Sequence, residues 1–336
     1  MTKKTITFSS ASATYYFDAD FTYLEKIVSK EAGIIITDEN ILKAYTKKFK
    51  GWKVIAIPPG EQHKNQQTVD SIIDQLIELG ADRQTFLIGV GGGVLTDLTG
   101  YVAAIYMRGI KCGYVPTSIL AMVDAAIGGK NGIDVGLYKN MIGIIRQPAF
   151  ILYDYSFLKL LPQSEWVNGF AEIIKHACIK DASMFKLLEE NKLNDFQKDR
   201  ELLSKLIQRN ALLKSKVVAH DEYEHGERKF LNFGHTIAHA IENLYQIPHG
   251  HAVSIGMGVA CKIAEQLNGF SEAGRVTGLL KKYGLPPQFE YDKAQTLKLL
   301  RADKKKEKDS ISYILLHKIG KPYIVSLPFQ QIETLI

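Results

Sequence analysis

The strongest constraint on the fold of this chain is a regular alternation of short apolar runs and helical patterns over its first 153 residues. The apolar runs end in turn residues and cover 33–37, 53–57, 85–90, 111–115 and 150–153. Helical periodicity occupies two of the gaps, at 68–79 and 95–106. Alternation of this kind predicts a mostly parallel sheet covered by helices, which is a Rossmann-like α/β fold.

The pattern changes near residue 162 and becomes helical up to about residue 300. Candidate helices and a closing hairpin follow in this order: 169–179, 200–219, 236–245, 252–267, then strands 312–316 and 323–327. Because 336 residues exceed the usual size of one core, we expect two domains. They are an α/β nucleotide-binding domain over residues 1–162 and a mainly α-helical domain over 163–336, with the active site in a cleft between them.

Composition excludes several classes of protein. Hydrophobic residues make up 46% and charged residues 23%, which argues against disorder, and no apolar run is long enough to span a membrane. The net charge of +6 comes from scattered residues, so we expect an anionic small molecule as partner rather than nucleic acid or a membrane. Three widely spaced cysteines and no apparent signal peptide indicate a cytoplasmic protein with reduced thiols.

A glycine-rich turn follows the predicted strand 85–90. The residues from Gly89 to Asp97 read GVGGGVLTD, and glycines at a strand end let a backbone approach a pyrophosphate at the next helix N-terminus. The spacing is not GxGxxG, because Val94 occupies the third glycine position, so a tight turn without a ligand is an equal alternative on this motif alone. Asp38, at the end of an earlier strand, and the segment 60–64 favour a nucleotide.

A second cluster combines glycines with cations. Gly128 and Gly129 precede Lys130, and Asp124 lies just upstream. This pattern indicates close approach to a phosphate, although it lacks the spacing of a P-loop. The alternative is a surface loop with solvated lysines.

Three segments offer metal ligands. Glu172 lies on a predicted helix with Lys175, His235 and His239 are four residues apart on another, and His249 follows in a His-Gly-His sequence. One carboxylate and two imidazoles would suit a catalytic zinc with an open position. Hydrogen-bonded core histidines are the alternative, and spacing leaves the third ligand open between His239 and His249.

Taken together, these motifs resemble those of the 3-dehydroquinate synthases, a family of sugar-phosphate cyclases. The resemblance runs from about residue 38 to 305 and rests on 60–64, 91–94, 97–98, 106–109, 116–117, 123–124, 128–130, 139–140, 171–175, Arg228, 231–236, 239–242, 249–250 and 303–305. It implies that zinc, or Co²⁺, is bound by Glu172, His235 and His249, with His239 beside the metal.

The resemblance also implies a cofactor, a substrate and a partner. NAD contacts are implied for Asp38, Asn40, Gly60, Glu61, Lys64, Gly93, Val94, Leu95, Thr96, Asp97, Thr117, Ser118, Lys130, Lys139, Phe157, Leu158, Lys159 and Leu160. Substrate contacts are implied for Asp124, Lys130, Asn140, Lys175, Lys214, Arg228, Asn232, His239 and Lys304. A homodimer is expected, in which Arg108 reaches the partner's active site.

The implied reaction converts 3-deoxy-D-arabino-heptulosonate 7-phosphate to 3-dehydroquinate and phosphate in aromatic biosynthesis. It proceeds by transient oxidation with NAD, phosphate elimination, reduction, ring opening and aldol closure. The chain departs from the family pattern near the site rather than among its charged residues, at Ser118, Ala126, Asn131, Asp134, Leu160 and His251.

Three alternatives to this function are weighed. A metal-dependent alcohol or glycerol-phosphate dehydrogenase would release NADH, and a related cyclase would take a substrate without a carboxylate. A regulatory module would have lost charged or metal positions. The segments 228–235 and 303–305 favour a cyclase over a dehydrogenase. Lys214 and Arg228, which would suit a carboxylate, argue against a substrate without one.

Overall fold

A computed structural model describes residues 1–136, 138–302, 306–307 and 310–336 of the chain. The chain divides into two compact units. The N-terminal unit contains Met1–Pro162 and Ser204–Glu222, and the C-terminal unit contains Gln163–Leu203 and Tyr223–Ile336. The predicted domain boundary after residue 162 stays a prediction. Among the helices described, none has the length and apolar character of a membrane span.

The N-terminal unit is built on a twisted sheet. Among the described residues, seven strands hydrogen-bond in the order β1-β2-β9-β6-β5-β3-β4. Their bounds are β1 Thr2–Thr7, β2 Ser12–Phe17, β3 Gly33–Asp38, β4 Lys53–Ile57, β5 Phe86–Gly91, β6 Lys111–Pro116 and β9 Phe150–Leu152. Every pairing is parallel except that of the edge strand β1 with β2. The predicted parallel sheet is therefore confirmed, and the antiparallel edge strand was missed.

Burial explains why the sequence forms this sheet. All six residues of β3 are buried, and β5 is buried except at its partly exposed first residue. Strands covered by helices on both faces have such continuous apolar sequences. The helices of this unit are α1 Glu39–Ala44, α2 Gln66–Glu78 and α3 Gly93–Ile105. The side chain of Asn65 caps α2 by accepting from the Thr68 N–H at 3.0 Å.

Two irregular elements carry the second glycine-lysine cluster. Residues Ala121–Ala125 form a turn of π-helix, a feature that often marks functional sites. The antiparallel hairpin of β7 (Lys130–Val135) and β8 (Tyr138–Ile145) follows it. No strand was predicted here, because the glycines and lysines of this region conceal the period of a strand.

The C-terminal unit is mainly helical. Its helices are α4 Gln163–Lys180, α5 Ala182–Glu190, α6 Leu193–Lys198, α8 His235–Tyr245, α9 His249–Asn268, α10 Ala273–Lys282, α11 Lys293–Ala302 and α12 Phe329–Leu335. Helix α7, Arg200–His220, begins in this unit and continues into the N-terminal unit. A small antiparallel sheet contains β10 Lys306–Glu307, β11 Ser310–Lys318 and β12 Lys321–Pro328. The helical pattern and the closing hairpin are thus confirmed.

Candidate active site

Apart from Lys130 and Lys139, which lie in the β7–β8 hairpin, the predicted cofactor residues of the N-terminal unit follow the carboxyl ends of the parallel strands. Strand β5 lies between β3 and β6, so the ends of these three strands are neighbours. The Thr37 hydroxyl donates to the carbonyl of Val90 at 2.8 Å, and the Thr117 N–H donates to the carbonyl of Gly91 at 2.9 Å. The carboxyl edge of an open α/β sheet is where ligands of such folds bind.

The glycine-rich turn connects β5 directly to α3. Gly92 is the N-cap residue and has no side chain to cover the first N–H groups of the helix. A Cβ at Gly91 would lie 2.5 Å from Cγ of Leu95, so this position requires a residue without one. The turn therefore presents backbone N–H donors at the helix N-terminus, which suits a phosphate group.

Asp38 has a structural role that the sequence analysis did not assign. Its carboxylate caps α1 by accepting from the Ile41 N–H at 2.9 Å. Burial raises the pKa of this carboxyl despite the hydrogen bonds that it accepts from backbone N–H groups. Asn40 lies exposed in the first turn of the same helix.

Lys64 connects the carboxyl edge of the sheet, which we call the cofactor edge, to the β7–β8 hairpin. Its ammonium lies 2.5 Å from a carboxylate oxygen of Asp97 and donates to Oδ1 of Asn140 at 2.7 Å. The side chain is only 5% exposed. Burial by itself lowers the pKa of Lys64, but the negative charges of Asp97 and Glu61 outweigh burial and raise it. Glu61 also pairs with Lys139 at 3.5 Å.

Asn140 adopts an unusual backbone conformation in the hairpin. Its φ of 53° lies in the left-handed region, and its N–H donates to the Asp134 carboxylate at 2.7 Å. The N–H of Asp134 donates in turn to the Lys64 carbonyl at 2.8 Å. Asp134, one of the departures from the family pattern, therefore supports the local geometry of Asn140.

The π-helical turn brings Asp124 to Lys214 of α7. The Lys214 ammonium lies 2.8 Å from the Asp124 carboxylate and donates to the Asp124 carbonyl at the same distance. Lys214 is almost fully buried. Two of the predicted substrate residues, distant in sequence, thus form one ion pair within the N-terminal unit.

The remaining predicted site residues differ in how exposed their side chains are. The side chains of Phe157 and Leu158 are buried in the core, whereas Leu160 is 62% exposed. Arg108 and Lys130 are exposed at the surface of the chain. Lys304 lies outside the described residues.

In the C-terminal unit, α4 presents the acidic member of the predicted metal cluster. Glu172 is fully buried, and one of its oxygens pairs with the ammonium of Lys175 one turn later. A buried carboxylate requires cationic or hydrogen-bonding partners, because desolvation penalises its charge. The other oxygen, Oε1, faces two imidazoles.

The two imidazoles belong to residues that begin helices. His235 starts α8 and His249 starts α9. Their Nε2 atoms lie 3.6 Å and 3.4 Å from Oε1 of Glu172. Helix α9 approaches α4 closely at Gly250, where a Cβ would lie 2.2 Å from the carbonyl oxygen of Asn168.

A second set of contacts orients both imidazole rings. Nδ1 of His235 lies 3.2 Å from the Phe233 carbonyl, and Nδ1 of His249 lies 3.3 Å from the buried carboxylate of Glu242. With each Nδ1 held in this way, each Nε2 is directed to Glu172. Burial lowers the pKa of His249, but the hydrogen bonds that its ring donates to Glu172 and Glu242 outweigh burial and raise the pKa to about 10.

Within the described part of the chain, Glu172, His235 and His249 form a possible metal site, with ligand atoms within 4.8 Å of one another. His239 lies beside this group, and its ring is perpendicular to that of His235 at a centroid distance of 5.5 Å. Spacing alone left the third ligand open between His239 and His249, and the family resemblance implied His249. The spatial grouping contains His249.

A short 3₁₀ helix, Glu227–Asn232, carries two predicted substrate residues. Arg228 is buried, and the amide of Asn232 donates to the Glu224 carboxylate. The sequence analysis missed Glu224, whose φ of 63° is rare for a side chain of this kind. Neither that backbone conformation nor the contact has a sequence signal.

Two family models together match most of the chain. The family model for the N-terminal part of 3-dehydroquinate synthase matches residues 54–168, and that for the C-terminal part matches residues 169–306. A 3-dehydroquinate synthase from Pyrococcus furiosus is 39% identical over 301 residues, covering 87% of this chain and 88% of the relative.

Solved structures of related cyclases share the whole fold. A 2-deoxy-scyllo-inosose synthase complexed with carbaglucose-6-phosphate, NAD⁺ and Co²⁺ has a TM-score of 0.85 at 26% identity, covering 99% of this chain and 98% of that one. A 2-epi-5-epi-valiolone synthase from Streptomyces hygroscopicus with bound NAD⁺ and Zn²⁺ has a TM-score of 0.88 at 25% identity, covering 100% and 97%. From its sequence matches and its fold, the chain belongs to the 3-dehydroquinate synthase family.

Proposed function

We propose that this protein is a 3-dehydroquinate synthase that converts 3-deoxy-D-arabino-heptulosonate 7-phosphate to 3-dehydroquinate and phosphate. In this proposal it is a carbon-oxygen lyase of the shikimate pathway. The observation that carries the proposal is the cluster of Glu172, His235 and His249 in a chain of this family. A regulatory module that only binds nucleotides has no use for such a cluster.

The donor set fits a divalent metal such as Zn²⁺ or Co²⁺. Zinc bonds of 2.0–2.1 Å in a tetrahedron would place ligand atoms about 3.4 Å apart, close to the 3.4 Å and 3.6 Å separations of each Nε2 from Glu172. Two imidazoles and one carboxylate leave a coordination position for substrate. When bound, the metal would supply Lewis acidity toward substrate hydroxyls.

The carboxyl edge of the sheet suits NAD. Glycine-rich backbone at the N-terminus of α3 would bind the pyrophosphate, with neighbouring contacts from Asp97, Thr117 and Lys139. The cofactor supplies reversible hydride transfer when bound. The buried pair of Lys64 with Asp97 would hold this edge in place, and Lys64 would simultaneously orient Asn140 toward the substrate.

A substrate with a phosphate and a carboxylate would explain the buried cations. Lys214 and Arg228 suit the carboxylate, because a guanidinium can bind it with two parallel hydrogen bonds. Lys130, Asn140 and Lys304 suit the phosphate. Lys175 and His239, which lie next to the metal ligands in sequence or space, are proposed to hold or move protons at substrate hydroxyls.

A homodimer is part of the proposal. The β7–β8 hairpin and the end of α3 expose apolar side chains on the N-terminal unit, each between 41% and 59% exposed: Ile105, Met107, Val135, Tyr138, Met141, Ile142 and Ile144. Apolar surface of this extent usually marks an association site. Arg108 directly follows Met107, so a partner covering this surface would receive its guanidinium. A cytoplasmic location stays a prediction that agrees with three free, buried cysteines.

The test is phosphate release from the heptulosonate phosphate, with and without NAD and Zn²⁺. We expect turnover only when both are present. A metal-dependent dehydrogenase would instead oxidise simple alcohols and leave the phosphate ester intact. Absence of phosphate release by the fully loaded protein would refute the proposal.

A further inference from the structure

Helix α7 carries Lys214, a predicted substrate residue, and its residues are divided between the two units. The helix begins at Arg200, in the C-terminal unit, but Ser204–Glu222 belongs to the N-terminal unit. Lys214 therefore belongs to the same compact unit as Asp124, although the sequence places it after the start of the helical half. Contacts within the N-terminal unit must therefore hold Ser204–Glu222 in place.

One attachment lies next to Lys214. The hydroxyl of Ser215 contacts the phenol of Tyr15 at 3.0 Å and donates to the Ala211 carbonyl at 2.6 Å. Tyr15 belongs to β2 and is 1% exposed. This contact fixes the middle of the segment to β2, the second strand of the sheet.

A stronger attachment lies at the end of the segment. The Glu222 carboxylate is 3% exposed and accepts four hydrogen bonds. The donors are the Ser9 hydroxyl, the Ser10 N–H at 2.9 Å, the Ser10 hydroxyl at 2.6 Å and the Gln147 amide at 2.8 Å. Hydrogen bonds to a charged acceptor are roughly twice as strong as neutral ones. Glu222 thus ties α7 to the turn between β1 and β2.

The distance from this attachment to Lys214 is short on the scale of a helix. Helix α7 ends at His220, six residues after Lys214 and about 9 Å along the axis, and Glu222 follows two residues later. A helix held at Ser215 and just beyond its C-terminal end, at Glu222, has little freedom to rotate or slide between those points. The Lys214 ammonium, 2.8 Å from the Asp124 carboxylate, lies on this restrained stretch.

We propose that Glu222, with Ser9, Ser10 and Gln147, is a positioning residue that holds Lys214 in register with Asp124 for binding of the substrate carboxylate. The kinetic part of this inference rests on the proposed function. It assigns a role in catalysis to the first hairpin of the chain, which lies far in sequence from every predicted site residue.

The first test measures Lys214 directly. Mass spectrometry would follow acetylation of Lys214 by an amine-reactive reagent in wild type, Glu222→Gln and Ser10→Ala. We expect labelling to be about tenfold faster in Glu222→Gln, since local opening exposes the ammonium, and a smaller increase in Ser10→Ala. Equal rates in folded variants would overturn the proposal. This readout needs no turnover, so it remains valid if the proposed function fails.

The second test separates positioning from general damage. Glu222→Gln should raise KM for the heptulosonate phosphate about tenfold while kcat changes less, and it should have no further effect in a Lys214→Ala background. The matched control is Glu189→Gln, which removes a carboxylate paired with Arg275 at 2.7 Å in the C-terminal unit. We expect Glu189→Gln to have the KM of the wild type. Additive effects of the Glu222 and Lys214 substitutions, or an equal KM change in the control, would overturn the positioning role. If Glu222→Gln does not fold, Ser10→Ala replaces it in the cycle.

Discussion

The cofactor edge of the N-terminal unit and the metal cluster of the C-terminal unit are built in opposite ways. At the cofactor edge, parallel strand ends and a glycine-rich turn present backbone groups, and few side chains are essential to the shape. In the metal cluster, three side chains from α4, α8 and α9 meet, with their rings oriented by further contacts. The first should tolerate side-chain changes but not added volume, whereas the second should fail on loss of one side chain.

The largest expected effect is removal of a metal ligand. His249→Ala should reduce metal affinity by more than the 10–100-fold that loss of an outer contact costs, because it removes one of three donors. Metal content after dialysis, measured by atomic emission, is the readout.

The matched variant is His239→Ala, which leaves Glu172, His235 and His249 in place. It should keep the metal and lose rate. An emptied site in His239→Ala together with a filled site in His249→Ala would reverse the ligand assignment.

Loss of an orienting contact should have the next largest effect. Glu242→Ala removes the carboxylate that lies 3.3 Å from Nδ1 of His249, so we expect metal affinity to fall about 10–100-fold. Glu242→Gln keeps an oxygen acceptor and should lose less. Competition with a chromogenic chelator measures both, and unchanged affinity in the alanine variant would show that Glu242 does not orient the ring.

Added volume at the cofactor edge should affect NAD and leave the metal alone. Gly91→Ala places a Cβ 2.5 Å from Leu95, so the first turn of α3 has to shift, and we expect about tenfold weaker NAD binding. The control is Gly274→Ala in α10, where a Cβ meets no atom within 4 Å. Calorimetric titration with NAD would measure both. Equal NAD affinity in wild type and Gly91→Ala would contradict the backbone role of the turn.

The smallest expected effect is a change with pH in the stability that the Glu222 carboxylate contributes by attaching the end of α7. Burial would raise the pKa of Glu222, but its hydrogen bonds outweigh burial and lower it from 4.5 to about 2. Since the folded pKa is the lower one, ionisation stabilises the fold fully above pH 4.5, and this contribution is lost as the pH falls toward 2.

Urea unfolding measures this contribution. The stability difference between wild type and Glu222→Gln should shrink by about 1 kcal/mol between pH 6 and pH 3.5. A constant difference over that range would mean that the charge of Glu222 does not contribute.

Much of the fold followed from the sequence because both halves have strong periodicity. The buried strands β3 and β5 are continuously apolar, and the glycines after β5 mark the turn into α3. The β7–β8 hairpin was missed because most of β8 is exposed, so it lacks the alternation that identifies a half-buried strand.

Residues of the candidate site were harder to predict from the sequence where their roles depend on contacts between distant parts of the chain. Spacing identified Glu172, His235 and the two candidates His239 and His249, and only the family resemblance favoured His249. Its physical basis, the packing of the first turn of α9 against α4, has no signal in the spacing. Glu224 and Glu222 gave no signal, since their roles arise from contacts with Asn232 and with the first hairpin. A helical pattern does not reveal where a helix is attached.

The most direct test of the central claim is whether catalysis is redox-neutral. Absorbance at the NADH band and released phosphate would be recorded together during turnover of the heptulosonate phosphate. Because the same substrate gives up and regains the hydride in the proposed reaction, phosphate should accumulate in large molar excess over NAD, with NADH never exceeding the enzyme concentration. NADH that rises in step with substrate consumed would contradict the cyclase and identify a dehydrogenase.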